Sequence, residues 1–228
     1  MSISLIIPAA GVGKRFSGNI KKQFTEIDGK PLIYWTIKRL ITSYSFDELI
    51  IGLNQDDIKF MDNVTADLNL DIPHIYAAGG KERANTVLNC LLKSNCSFAA
   101  VHDSVRPFVS SHVIKNTIDK AYQTNAAICG IPVRDTVKKI NVNIIENTVS
   151  RDNLFLAHTP QVFKKDIILN SIQTALESNI TVTDEASACE YAGIPVEAVL
   201  SNYENIKVTY IEDINLIQLF KAKYFFEG

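Results

Sequence analysis

Five clusters along this chain carry the residue types needed to hold phosphate anions and neutralise their charge. The first is Ile6-Ile7-Pro8-Ala9-Ala10-Gly11-Val12-Gly13-Lys14-Arg15, where an apolar run empties into a loop of small residues ending in two cations. Small residues let backbone N–H groups approach an anion closely, and the cations that follow compensate its charge. Lys21 and Lys22 extend the positive edge. This is not a Walker A loop, because Pro8 stands where the first Gly belongs and Arg15 replaces the hydroxyl that would hold magnesium. Nor is it a dinucleotide fingerprint, since Phe16 occupies the third glycine position after Gly11 and Gly13. Taken alone, the loop also reads as a plain tight turn between a strand and a helix.

The second cluster, Gly79-Gly80-Lys81-Glu82-Arg83, offers exposed N–H groups before a helix to a base or a phosphate, or else makes a simple left-handed turn. In the third, Val101-His102-Asp103-Ser104-Val105-Arg106-Pro107, a buried strand ends at an acid. Asp103 is placed where a carboxylate could share magnesium with substrate phosphates, while His102 reads as a hydrogen-bonded core residue. Arg106 reads as a partner of Asp103 or a brace for the loop. The fourth joins Val149-Ser150-Arg151-Asp152 to Thr159-Pro160-Gln161. The fifth comprises Thr183-Asp184-Glu185-Ala186-Ser187 and Asn205-Ile206-Lys207-Val208-Thr209. Thr183 or Asp184 suits a helix cap, whereas Asp184 and Glu185 make a poor acid/base pair because adjacent helical side chains diverge.

The elements that must position these clusters alternate. Apolar runs predict strands at Ile3–Ile7, Leu49–Leu53, His74–Ala77, Phe98–His102, Ala127–Ile131 and Val196–Leu200. Helical spacing lies between them, as in Leu32, Trp35, Ile37, Leu40 and Ile41, in Val87, Leu88, Leu91 and Leu92, and in Val113, Ile114, Ile118 and Ala121. Such alternation predicts an α/β fold, a mostly parallel sheet with helices on both faces and ligands at the carboxyl ends of its strands. Thr136–Val149 breaks the rhythm with two short strands, Val137–Ile140 and Ile144–Val149, around Asn141-Val142-Asn143. A hairpin of that size is marginal alone, so it is expected to pack on a second subunit or on its own domain.

A length of 228 residues suits one domain, with the β-arm an insertion at about 134–152. A net charge of -2 and a pI near 6.1 leave no electrostatic footprint for nucleic acid, so the expected partner is a small molecule. The sequence shows no signal-peptide pattern and no bilayer-length apolar run, so a cytoplasmic location without a membrane partner is expected. Cys90, Cys96, Cys129 and Cys189 form no C-x-x-C pair and suit reduced, buried thiols.

In order, the loop Ala9–Arg15, Lys22-Gln23, Gly79-Gly80-x-x-Arg83, His102-Asp103-x-x-Arg106-Pro107, Pro132-Val133-Arg134-Asp135-Thr136, Thr159-Pro160-Gln161, Thr183–Ala186 and Asn205–Thr209 closely resemble the 2-C-methyl-D-erythritol 4-phosphate cytidylyltransferase family. The resemblance implies a Rossmann-like fold and a homodimer that exchanges the protruding β-arm. It implies transfer of CMP from CTP to the phosphate of methylerythritol phosphate, with pyrophosphate released, in non-mevalonate isoprenoid precursor synthesis. Mg2+ or another divalent cation would assist. By this resemblance Arg15 and Lys22 stabilise the transition state. Arg151, reaching over from the neighbouring subunit, and Lys207 position the sugar phosphate. Pro8, Ala9, Ala10, Gly11, Gly13, Lys14, Gly79, Gly80, Arg83, Thr86, Asp103 and Ser104 would bind the nucleotide. Asp103, Arg106, Arg151, Thr159, Thr183 and Lys207 would bind the acceptor, with Asp103 also the metal ligand.

The chemistry fits. A phosphate monoester has its second pKa near ~6, so the attacking oxygen is already anionic at neutral pH and needs no general base. The work left is bringing two polyanions together and neutralising the charge that develops. The sequence departs from the family at Lys21, commonly Pro, at Ser104-Val105, usually Ala-Ala, at Thr86 in place of Ser, and at Lys81, an acid in some members. A cytidylyltransferase acting on ribitol 5-phosphate, whose strand-end motif often reads His-Asp-x-Val-Arg-Pro, is the nearest alternative. A non-catalytic nucleotide-binding module is a more distant one, and it should have lost the cations or the strand-end acid that are present here.

Overall fold

The computed structural model describes residues 1–11 and 21–225, so Gly13, Lys14 and Arg15 lie outside the described residues. In chain order the elements are β1 (Ile3–Pro8), β2 (Glu26–Ile27), β3 (Lys30–Pro31), α1 (Leu32–Ser43), β4 (Glu48–Leu53), α2 (Ile58–Leu68), β5 (His74–Ala78), α3 (Arg83–Lys93) and β6 (Phe98–Val101). There follow α4 (Ser111–Thr124), β7 (Ala126–Pro132), β8 (Val137–Asn141), β9 (Ile144–Val149), β10 (Phe155–Lys164), α5 (Lys165–Glu177), α6 (Glu185–Tyr191), β11 (Glu197–Leu200) and α7 (Asp213–Phe225). Seven strands form one sheet in the order β11-β7-β10-β6-β1-β4-β5. The pairings of β1 with β4 and β6, of β4 with β5, and of β7 with β11 are parallel. Only β10 runs the other way, antiparallel to both β6 and β7.

Alternation along β1 shows why the sheet needs cover on both sides. Ile3, Leu5 and Ile7 join a core with Ile33, Ile37 and Leu40 of α1, Met61 of α2 and Ile114 and Ile118 of α4. Ile6 faces the opposite core, built with Val87 and Leu91 of α3, Ile168 and Ile172 of α5 and Ala188 of α6. A strand buried on both faces reads as the continuous apolar run that made it legible. A third cluster brings the C-terminal helix back. Phe225 stacks on Trp35 with ring centroids 4.2 Å apart, and Phe108 lies against Phe220, Tyr224 and Phe225. That docking holds the segment between β11 and α7, which carries Asn205 and Lys207, over the strand ends.

All six predicted strands are present, with no end shifted by more than one residue. Within the seven-stranded sheet, β10 is the strand that apolar patterning did not indicate. Its polar residues His158, Thr159 and Gln161 interrupt the run, its ladder to β7 shifts register between Ala157 and Gln161, and the Thr159-Pro160 bond is cis. Thr159-Pro160-Gln161 therefore lies inside a central strand. The predicted hairpin is β8 and β9, which pair only with each other and leave Ile140, Val142, Ile144 and Ile145 exposed. The four cysteines are buried and unbridged. No helix among the described residues is long and apolar enough to cross a membrane.

Gly52 in β4 fixes how closely α3 approaches the sheet: a Cβ there would lie 2.3 Å from Thr86 Cγ2 and 3.1 Å from Cys90 Sγ. Gly52→Ala must push α3 outward or distort β4. Its urea midpoint is expected to fall by the equivalent of ~1–3 kcal/mol at an unchanged m-value.

Candidate active site

The parallel strands deliver their carboxyl ends to one side of the sheet, and the sequence clusters meet there. β1 runs out into Ala9-Ala10-Gly11, β4 into Asn54, β5 into Gly79-Gly80 and β6 into His102-Asp103. A cleft of about 400 Å³ is lined by residues from all four, among them Pro8 to Gly11, Asn54, Gly80 and Asp103. Lys22, Gln23, Lys81, Glu82, Arg83, Thr86, Ser104 and Lys207 complete its charged and polar wall. A second cleft of about 220 Å³ is lined by Arg106, His158, Thr159, Gln161, Thr183 and Asp184. Arg83, Asp103 and Lys207 line both, forming a charged partition between them.

Asp103 is the hub of that partition. Its Oδ1 receives Arg83 Nε at 3.2 Å, and its Oδ2 receives Arg106 Nε at 3.2 Å and Lys207 Nζ at 2.9 Å. The residue is only 6% exposed. Burial alone would raise its pKa, but Arg83, Lys207 and Arg106 hold the carboxyl far below the usual carboxylate range. Arg83 is itself shared, its NH1 and NH2 lying 2.6 and 3.1 Å from the two oxygens of the fully buried Glu185. Three cations against two carboxylates leave one net positive charge in this group, on a surface built to meet anions.

Each member is placed by backbone around it. His102 continues the β6 ladder by donating its N–H to the Ile6 carbonyl at 2.9 Å, after which the chain turns, with Arg106 N–H on the Asp103 carbonyl at 3.2 Å. The His102 ring closes this turn from below, donating from Nε2 to the Arg106 carbonyl at 3.0 Å. Thr159 reaches over from β10, its hydroxyl accepting from Asp103 N–H at 3.1 Å. The segment after β11 is stitched on by Arg106 NH1 to the Asn205 carbonyl at 2.7 Å, Asn205 Nδ2 to the Thr159 carbonyl at 2.9 Å and Val208 N–H to the Val105 carbonyl at 3.0 Å. Lys207 is thereby set against Asp103. Asp184 caps α6 by accepting from Ser187 N–H at 3.0 Å, and Gln161 locks that cap through Asp184 Oδ2 at 2.9 Å and Ala186 N–H at 3.1 Å.

The predicted site residues sort accordingly. Pro8, Ala9, Ala10, Gly11, Lys22, Gly80, Arg83, Thr86, Asp103, Ser104 and Lys207 converge on the larger cleft, and Arg106, Thr159 and Thr183 on the smaller. Gly79 lines neither cleft. A Cβ there would meet Ala10 Cβ at 2.5 Å and Asn54 Oδ1 at 3.0 Å, so the glycine serves close packing of two strand-end loops. The Thr86 hydroxyl accepts from Gly80 N–H at 3.0 Å and donates to the Glu82 carbonyl at 3.3 Å, which commits it to shaping the glycine turn. Arg151 lies at the base of the arm, away from both clefts of its own chain, with its guanidinium on the Arg134 carbonyl. The Lys21 ammonium is on Asp57, 2.6 Å away, whereas Lys22 lines the cleft. Arg106 does pair with Asp103, and Glu185 is an ion-pair partner rather than half of an acid/base pair. Asn54, Gln23 and Gln161 were not singled out; each follows a predicted strand or stands inside a quoted motif, and that position was the available signal.

The family model described as IspD: 2-C-methyl-D-erythritol 4-phosphate cytidylyltransferase matches residues 3–222. The chain belongs to this family. Proteins named 2-C-methyl-D-erythritol 4-phosphate cytidylyltransferase from Clostridium botulinum (strain Okra / Type B1) and Acinetobacter baylyi are similar over most of their length. The first is 37% identical over 93% of this chain and 94% of its own, the second 39% identical over 94% and 91%. Among solved structures, 4-diphosphocytidyl-2C-methyl-D-erythritol synthase from Anaerococcus prevotii superposes with a TM-score of 0.84 at 27% identity, covering 97% of this chain and 96% of that one. In this member of the family, then, the mostly parallel α/β sheet and the strand-end clefts are those of a nucleotidyltransferase fold.

Burial pushes the pKa of His102 down to about 4, so the ring is neutral in the folded chain near pH 7 while an unfolded histidine titrates near ~6.5. Between these values the unfolded chain binds the extra proton, and stability falls as pH is lowered from about 6.5 towards 4. In urea titrations His102→Gln is expected to flatten that decline by roughly 2–3 kcal/mol relative to the parent between pH 7 and 4.5. An unchanged slope would mean that His102 is not the proton acceptor.

Proposed function

We propose that this chain transfers CMP from CTP to the phosphate of 2-C-methyl-D-erythritol 4-phosphate and releases pyrophosphate, as its relatives are named for doing. The observation that carries this reading is the partition: two clefts of unequal size share one charged wall, so two anionic substrates can lie on either side of Asp103, Arg83 and Lys207. The family match favours methylerythritol phosphate over ribitol phosphate as the acceptor. The triphosphate runs along Pro8 to Gly11 and on to Gly13, Lys14 and Arg15, with the nucleoside towards Gly80, Thr86 and Ser104. The acceptor occupies the smaller cleft near Arg106, Thr159 and Thr183, its phosphate drawn by Lys207.

Nucleophilic attack requires no proton transfer, because the acceptor phosphate is a dianion above its second pKa near ~6. Lys207 orients that dianion, and Lys22 and Arg15 take up charge on the α-phosphate and departing pyrophosphate. Asp103 is a reasonable magnesium ligand. Oδ1 carries one ion-pair partner, Arg83, and a carboxylate oxygen has a second lone pair to offer. Mg2+ is commonly held by one or two carboxylates plus substrate phosphates, and when bound it would add charge neutralisation there. The described residues hold no cluster of three or more His, Cys, Asp or Glu that could form a metal cage, so the nucleotide would bring most of the ligands.

The chain would work as one nucleotidyltransferase domain with its arm insertion, in the cytoplasm, as a homodimer. The arm supports the dimer, since Ile140, Val142, Ile144 and Ile145 are apolar yet exposed on a hairpin paired only with itself. By the resemblance to the family, the second copy's Arg151 would then reach the acceptor.

Three measurements test this reading. Incubated with CTP, Mg2+ and each polyol phosphate, the protein is expected to release pyrophosphate with methylerythritol phosphate; turnover with ribitol phosphate alone would overturn the assignment. Lys22→Ala should lower kcat by about 30- to 1000-fold, the ~2–4 kcal/mol lost with one transition-state donor, with a smaller change in KM. A raised KM alone would remove Lys22 from that role. Mixing inactive Lys22→Ala and Arg151→Ala dimers should restore up to about a quarter of parental activity, because half the reassorted dimers carry one intact site. No recovery on mixing would place Arg151 in its own chain's site.

A further inference from the structure

Lys22, assigned above to the departing pyrophosphate, sits between two neighbours that are both pinned. On one side the Lys21 ammonium lies 2.7 and 2.6 Å from the two carboxylate oxygens of Asp57. On the other, the buried Gln23 amide donates to the carbonyls of Ala9 and Gly11 at 2.7 and 2.9 Å. Asn54 links the two pins. Its Nδ2 donates to the Ala10 carbonyl at 2.8 Å and lies 3.4 Å from Asp57 Oδ2. The ring of contacts therefore ties the outgoing stem of the small-residue loop, the returning Lys21–Gln23 stem and the end of β4 together.

Asp57 closes a short 3-10 turn, Gln55–Asp57, that runs straight into α2, and its backbone is already helical (φ -92°, ψ -11°), so it does not occupy the extended cap position. Here the carboxylate makes no cap bond, and both oxygens serve Lys21 instead. The two side chains are 10% and 27% exposed, so the pair is more shielded than the surface ion pairs that contribute little. The turn it secures is small: Phe24 N–H reaches the Lys21 carbonyl at 2.8 Å and Thr25 N–H the Lys22 carbonyl at 3.2 Å. A turn closed by so few bonds takes its orientation from what pins it outside.

We propose that Asp57 is a positioning residue for the phosphoryl transfer: acting through Lys21, it holds the Lys22–Phe24 turn against the Ala9–Gly11 stem and aims the Lys22 ammonium into the larger cleft. This rests on the function proposed above. Neither Asp57 nor Lys21 lines either cleft, so they act through the lining residues they hold, Lys22 next in the chain and Asn54 beside the carboxylate. Lysine is a point charge on a flexible stem, and fixing its root before the substrate arrives removes part of the ordering cost at the moment of reaction.

Asp57→Asn, Lys21→Met and the double variant test the proposal by pyrophosphate release and by amide hydrogen exchange without substrates. Each single change should lower kcat by ~10- to 100-fold, the scale of a misaimed catalytic group, and leave the acceptor KM within about twofold. The double variant should be no worse than the worse single, since both remove one contact. The Phe24 and Thr25 amides should exchange at least ~10-fold faster in every variant. A kcat that stays parental in Asp57→Asn, losses that multiply in the double variant, or unchanged exchange would each overturn the proposal. If the parent protein releases no pyrophosphate, the functional reading fails instead, and the exchange measurement still decides the clamp.

Discussion

An ionised carboxylate buried at a strand end cannot stand alone, and the arrangement around Asp103 follows from that constraint. Taking a charge out of water costs several kcal/mol unless it is paired and hydrogen-bonded. Three cations from separate parts of the chain answer it: Arg83 from the start of α3, Arg106 from the turn after β6, and Lys207 from the segment beyond β11. Each must be delivered by its own scaffold. Glu185 holds the far edge of Arg83, the Asn205 carbonyl holds Arg106, and Val105 holds the Lys207 segment as an extra backbone partner. Residues over a hundred positions apart thus converge because one carboxylate requires them.

The same cluster divides the strand-end surface into two clefts and leaves it net positive, which suits the meeting of two polyanions. It also pins the titratable groups nearest the reaction. Asp103 stays ionised among its cations, and burial drives His102 and His158 down to about 4, with the charge of Arg106 adding to the effect on His158. Groups pinned in this way do not shuttle protons near neutral pH. They supply fixed charge and fixed geometry, which is what transfer between phosphates demands.

How much of this the sequence disclosed depended on whether a residue's signal was local. The parallel strands were legible because burial on both faces turns each into an apolar run, as in Ile3–Ile7 and Leu49–Leu53. β10 was not, because His158, Thr159 and Gln161 belong to the site and break the pattern of the strand that carries them. Site residues in compact motifs, such as Asp103 with Arg106, were legible by type and spacing. The pairing of Glu185 with Arg83 was not, since it joins two helix starts 102 positions apart and no local rule brings them together. Gly79 shows a related ambiguity: a glycine needed for close backbone approach and one needed for a ligand look alike until the neighbouring Ala10 is in view.

The central claim is that the site neutralises charge rather than moving protons, and the pH dependence of kcat for pyrophosphate release tests it directly. Between about pH 7.5 and 8.5, with both substrates saturating, the rate should be flat, falling at lower pH with a midpoint near ~6 as the acceptor phosphate takes up its proton. A limb with a midpoint between 7 and 8 that persists when the acceptor phosphate's own pKa is altered would reveal an essential proton-transferring group in the enzyme and contradict the account.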